Sequence, residues 1–141
     1  MKSVYAVIDT NVVVSSFLKI GSIPNEVVSL ALDGAIVPIL NKEILAEYKE
    51  VLMRNMFGLT EEEVDDFIDN ISKRGVFLDR TATDEIFTDA GDIVFYEVVM
   101  TAREKEDAYL VTGNKRHFPL KPFVVTPREM LEIVKALNVN A

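Results

Sequence analysis

Val4-Tyr5-Ala6-Val7-Ile8-Asp9-Thr10-Asn11 is the stretch whose reading decides the fold of this chain. A five-residue apolar run ends abruptly in a carboxylate, a hydroxyl and an amide. A short apolar run bounded by polar turn residues reads as a buried strand. In open α/β sheets, ligands bind just beyond the carboxyl ends of strands, so Asp9 stands where chemistry is done.

Working outward, the pattern alternates. Val12–Leu18 reads as a short helix starting on the polar turn, and Pro24–Asp33 as a second helix closed by Gly34. Ala35–Leu40 reads as the next strand, and Pro38 within it suggests an edge position. Asn41 is a natural N-cap for a helix reaching about Arg54, and Thr60-Glu61-Glu62-Glu63 is a capping box for a helix reaching about Arg74. Val76–Leu78 is a weak strand, and Thr81–Gly91 lacks a period and reads as loop. Asp92 opens a helix to about Glu104, Ala108–Val111 and Phe123–Val125 are strands, and Thr126-Pro127-Arg128-Glu129 starts a final helix to about Asn138. Strands alternating with helices predict a mainly parallel sheet of four to five strands, covered on both faces, in a single domain over residues 1–141.

Composition narrows the chemistry. There is no Cys and a single His, His117, which excludes disulfides, cysteine nucleophiles and multi-histidine zinc sites. The remaining ligands are hard oxygens, which suit Mg²⁺ or Mn²⁺. A net charge of −8 speaks against broad electrostatic binding of nucleic acid but leaves room for a local site, since surface charges are screened beyond about 8 Å. No segment approaches the roughly 18 apolar residues a membrane span needs, and the N-terminal apolar run is too short for a signal peptide. A cytoplasmic location is the expectation.

Of 23 acids, three depart from the default of solvated surface charge. Asp9 ends the first strand, with a helix N-cap as its other reading. Glu47 falls at the edge of the apolar stripe Ile44, Leu45, Tyr48, Val51 and Leu52, with Arg54 near the same edge; a boundary ion pair is the alternative. Asp92 precedes inward-facing Val94, Phe95, Val98, Val99 and Ala102, and can serve as a cap; nearby Asp89 reads as loop rather than ligand. Asn114, after Val111-Thr112-Gly113, is either a turn residue or an oxygen ligand at a second strand end. If the three acids meet, two carboxylates about 4 Å apart repel by roughly 4 kcal/mol at an effective dielectric of 20, so they take up a proton or a cation.

In this order, the segments Val7–Asn11, Glu43–Leu52, Asp92 at a helix start and Asp107–Phe118 resemble the PIN-domain family of metal-dependent ribonucleases, nearest to the short members regarded as toxins of toxin-antitoxin systems. The resemblance implies a three-layer α/β/α fold. It implies an active site in which Asp9, Glu47 and Asp92 bind one or two Mg²⁺ or Mn²⁺ ions that activate water against an RNA phosphodiester. Asn114 stands where relatives can carry a fourth acid, and His117 where the related Asn-x-x-Asp-Phe pattern has its Asp. Thr10, Asn11 and Thr112 match supporting polar positions. Lys115, Arg116 and Arg54 are candidates for RNA phosphate contact, with a solvated basic turn as the alternative for the first two. The family further implies homodimers and an antitoxin peptide in the cleft.

Two other readings are open. A phosphotransfer receiver domain would use Asp79, after Val76–Leu78, although Asp9 lacks the acidic neighbour expected there. A metal-free binding module would use the acids as caps and expose Phe17, Leu18, Ile20 and Ile23 to a partner.

Overall fold

The computed structural model describes residues 2–138. Its elements in chain order are β1 (Val4–Ile8), α1 (Thr10–Leu18), α2 (Ile23–Asp33), β2 (Ile36–Leu40), α3 (Lys42–Leu52), α4 (Glu61–Arg74), β3 (Val76–Phe77), α5 (Ile93–Arg103), β4 (Tyr109–Val111), β5 (Val124–Val125) and α6 (Pro127–Asn138). All strand pairs are parallel, in the order β3-β2-β1-β4-β5. Parallel strands need crossover helices, which then cover both faces. The result is a three-layer α/β/α domain. β1 is the central strand, and its Ala6, Val7 and Ile8 are fully or almost fully buried.

Local chemistry sets the element ends. Ser22 caps α2, and Gly34 closes it in the left-handed conformation with φ 100°. The Asn41 side chain accepts from Ile44 N–H at the start of α3. Thr60 and Glu63 form the reciprocal capping box of α4. α5 packs on β1, β2 and β4, while α2 packs on β2 with α1 and α6 against it.

Three expectations need correction. β2 is not an edge strand, despite Pro38. Pro38 is tolerated because β3 is only two residues long and pairs with Ile39 and Leu40, leaving Pro38 beyond its reach. The receiver reading fails on strand order, because Asp79 follows the edge strand β3, with β2 standing between β3 and β1. A receiver order would set the third strand beside the first. Of the four apolar residues assigned to a partner surface, Leu18 and Ile20 are exposed, whereas Phe17 and Ile23 are half-buried against the core. No helix among the described residues is long and apolar enough to cross a membrane.

This strand order creates a switch point. From β1 the chain builds outward to β2 and β3, then returns across the sheet to β4 on the other flank of β1. The crevice beyond the carboxyl ends of β1 and β4 is where such sheets bind ligands.

Candidate active site

Asp9 leaves β1 at that crevice. Its N–H donates to Val111 C=O at 2.9 Å, which locks it to the end of β4. Below it, the Tyr48 hydroxyl donates to the buried Ile8 C=O. Asp9 occupies the N-cap position of α1, yet its side chain makes no capping hydrogen bond. Its Oδ2 instead accepts from the buried Thr112 hydroxyl at 2.8 Å. The cap reading therefore does not account for the carboxylate.

Glu47 projects from α3 into the same cleft, where its carboxylate accepts from the Thr10 hydroxyl. The third acid arrives on a different element. Asp89 Oδ1 accepts from Gly91 N–H at 2.8 Å and caps a short 3-10 turn, Ala90–Asp92, that runs into α5. Gly91 is small where space is short: a Cβ there would stand 3.2 Å from Asp89 Oδ1 and 3.5 Å from Glu47 Oε1. Asp92 follows as the N-cap residue of α5 and, like Asp9, makes no side-chain cap bond. Its buried Oδ2 has no hydrogen-bond partner; the His117 imidazole faces it, with Nδ1 3.6 Å away, too far for a hydrogen bond.

The cleft has a volume of about 460 Å³. Asp9, Thr10, Asn11, Glu47, Arg54 and Asp92 line it, and so does Asp89, which reads from the sequence as loop. Asn11 Oδ1 accepts from Gly113 N–H at 3.2 Å, tying α1 to the turn after β4. Arg54 reaches the cleft while paired with Glu50 at 3.0 Å.

Electrostatics follow from burial and crowding. Burial pushes the Asp9 carboxyl up to about 6; Asp92 and Glu47 add repulsion, while hydrogen bonds from Thr112 and the Thr10 backbone partly offset it. Asp92 is raised too, first by burial and then by Asp89, with His117 opposing. Tyr48 is held well above its usual range by burial and by Asp9 and Glu47. An acidic cleft that resists ionisation, with an orphaned buried carboxylate oxygen, suits a divalent cation. Among the described residues no three His, Asp or Glu side chains are gathered closely enough to grip one ion. Cation binding would therefore draw Asp9, Glu47 and Asp92 together, in competition with the threonine hydroxyls.

Asn114, Lys115 and Arg116 do not line the cleft. The Asn114 amide nitrogen lies 3.0 Å from His117 Nε2, and Lys115 pairs with Glu129 at 3.3 Å. His117 itself lines the cleft, a placement that the basic-turn reading did not assign. The available signal was its position three residues after Asn114, one 3-10 turn on. Val14 and Ser15 also line the wall, at helical spacing from Asn11.

A family described as PIN domain matches residues 5–116 of the chain. A chain of the crystal structure of VapBC2 from Rickettsia felis, bound to a DNA fragment from their promoter, has a similar fold. Its TM-score is 0.55 at 16% sequence identity, over 86% of this chain and 96% of that chain. None of the curated proteins matches.

Proposed function

Because this chain belongs to the PIN-domain family, we propose that it is a metal-dependent endoribonuclease that hydrolyses RNA phosphodiester bonds in the cytoplasm. The observation that carries this reading is the pair Asp9 and Asp92. Both sit at helix N-caps without capping, and both face one cleft with Glu47 at the β1–β4 switch point. Asp9, Glu47 and Asp92 would hold one Mg²⁺ or Mn²⁺. A cation bound there supplies Lewis-acid stabilisation of phosphoryl charge and lowers the pKa of water.

The chain's own residues position these parts. The Thr112 and Thr10 hydroxyls orient Asp9 and Glu47. Asn11 holds the β4 turn against α1. On this reading Arg54, in the cleft wall, exchanges Glu50 for an RNA phosphate, and Lys115 and Arg116, outside the cleft, add further phosphate contacts. Hydrolysis adds water at phosphorus, breaks one P–O ester bond and passes one proton to the leaving oxygen.

The fold shared with a chain of VapBC2, solved on promoter DNA, is in keeping with a toxin of a toxin-antitoxin pair and a partner antitoxin; the homodimeric state rests on the family resemblance. The test is cleavage of a panel of single-stranded and structured RNAs with Mg²⁺, Mn²⁺ or chelator. The wild type cleaves only with metal, and Asp9→Asn and Asp92→Asn each lose at least about 100-fold. Wild-type inactivity, or undiminished cleavage by Asp9→Asn, rejects the assignment.

A further inference from the structure

The turn after β4 brings a nitrogen ligand to an acidic site. Lys115–His117 form a 3-10 turn closed by His117 N–H donating to Asn114 C=O at 3.1 Å. Buried Phe118 anchors it, with its ring edge-on to Phe87 at 6.1 Å. This anchor aims the His117 imidazole into the cleft. Nε2 faces the Asn114 amide at 3.0 Å, and Nδ1 faces Asp92 Oδ2 at 3.6 Å. That oxygen is buried and has no hydrogen-bond partner.

Two features of this geometry bear on ligation. Adjacent ligands in an octahedral sphere with bonds of about 2.1 Å stand about 3.0 Å apart, so Nδ1 and Oδ2 need to close by only about 0.6 Å to share one ion. Ligating histidines donate their second ring N–H to an oxygen that fixes tautomer and ring orientation. A half-turn of the Asn114 amide places its carbonyl oxygen on Nε2–H and leaves the Nδ1 lone pair directed towards Asp92.

Resting on the metal-dependent reading above, we propose that His117 ligates the cation through Nδ1 beside Asp92, with Asn114 as the positioning residue for its ring. The site then comprises three carboxylates and one imidazole. Imidazole suits transition metals, whereas Mg²⁺ prefers an all-oxygen shell. The set therefore selects Co²⁺, and less strongly Mn²⁺, over Mg²⁺. Asn114 thereby occupies the position of a fourth acid without being a ligand.

The test is calorimetric titration of the metal-free full chain with Mn²⁺, Co²⁺ and Mg²⁺, paired with pulsed EPR of the Mn²⁺ form for nitrogen coupling. Wild type shows nitrogen coupling and binds Co²⁺ and Mn²⁺ more tightly than Mg²⁺. His117→Ala loses the coupling and at least about tenfold in Co²⁺ affinity, while Mg²⁺ affinity changes much less. His117→Asp moves the preference back towards Mg²⁺. Thermal melts confirm that both variants fold, as expected for a half-exposed side chain. Wild-type Mn²⁺ binding without nitrogen coupling, or equal Co²⁺ affinity in His117→Ala, overturns the imidazole ligand and leaves the metal-dependent reading standing. Failure of wild type to bind any of the three cations overturns both.

Discussion

Asp9 carries an electrostatic cost that a bound cation would remove. Its carboxyl titrates at about 6 in the folded chain, against an ordinary value of 3.8. Between those values the folded protein holds a proton that the unfolded chain has released. Stability therefore falls as pH rises from about 4 to about 6 and stays reduced above it, by on the order of 3 kcal/mol. Asp9→Asn lacks this contribution while keeping an acceptor for Thr112. In chelator, urea melts of the two proteins should nearly coincide at pH 4, and the variant should be the more stable at pH 7. Saturating Mn²⁺ should narrow or reverse the gap, because only the wild type keeps the full ligand set. A variant less stable than wild type at pH 7 in chelator would contradict the repulsion. This cost could be anticipated from three acids in one chain, but its size depends on burial, which no spacing reports.

At the scale of elements, helix starts were the most legible features because their signals are local. Asn41, Thr60 and Glu63 cap as their sequence spacing predicts. Of the run Thr81–Gly91 read as loop, 81–89 contains neither helix nor strand, and Ala90 and Gly91 belong to the 3-10 turn that leads into α5. What holds it was not legible: buried Glu97 on α5 accepts from Arg80 at 2.7 Å and from Thr83 N–H at 3.0 Å. That lacing leads the chain to Asp89 and Asp92. The junction of α4 and β3 is equally tight. A Cβ at Gly75 would stand 2.4 Å from Leu40 Cδ1 and 2.9 Å from Pro38 C=O. Gly75→Ala should destabilise the fold by about 1–3 kcal/mol through overpacking, seen as a lower urea midpoint at an unchanged m-value. A neutral result would mean that β2 and β3 shift apart freely.

At the scale of the whole molecule, a charge of −8 and an acidic cleft must still admit RNA. The free cations near the cleft are few, since Arg54 is paired with Glu50 and Lys115 with Glu129. Binding of single-stranded RNA to Asp9→Asn should therefore show a shallow salt dependence. A log–log slope between about −1 and −2 is expected, at about −0.7 per neutralised phosphate. A slope steeper than about −4 would reveal a basic surface elsewhere, such as one completed by a second copy of the chain.

The sequence by itself determined the alternation of strands and helices, their caps, and the delivery of Asp9 to a strand end. Each of these depends on residues within one or two turns of each other. The tertiary structure alone decided the site. Thr112 reaches Asp9 across 103 positions, and Thr10 reaches Glu47 across 37. Those meetings depend on β4 returning to the flank of β1, a matter of sheet order rather than local pattern. The same return turned His117 towards Asp92 and placed Asn114 behind it, so a motif read as amide ligand and basic turn became an imidazole facing an unpartnered carboxylate.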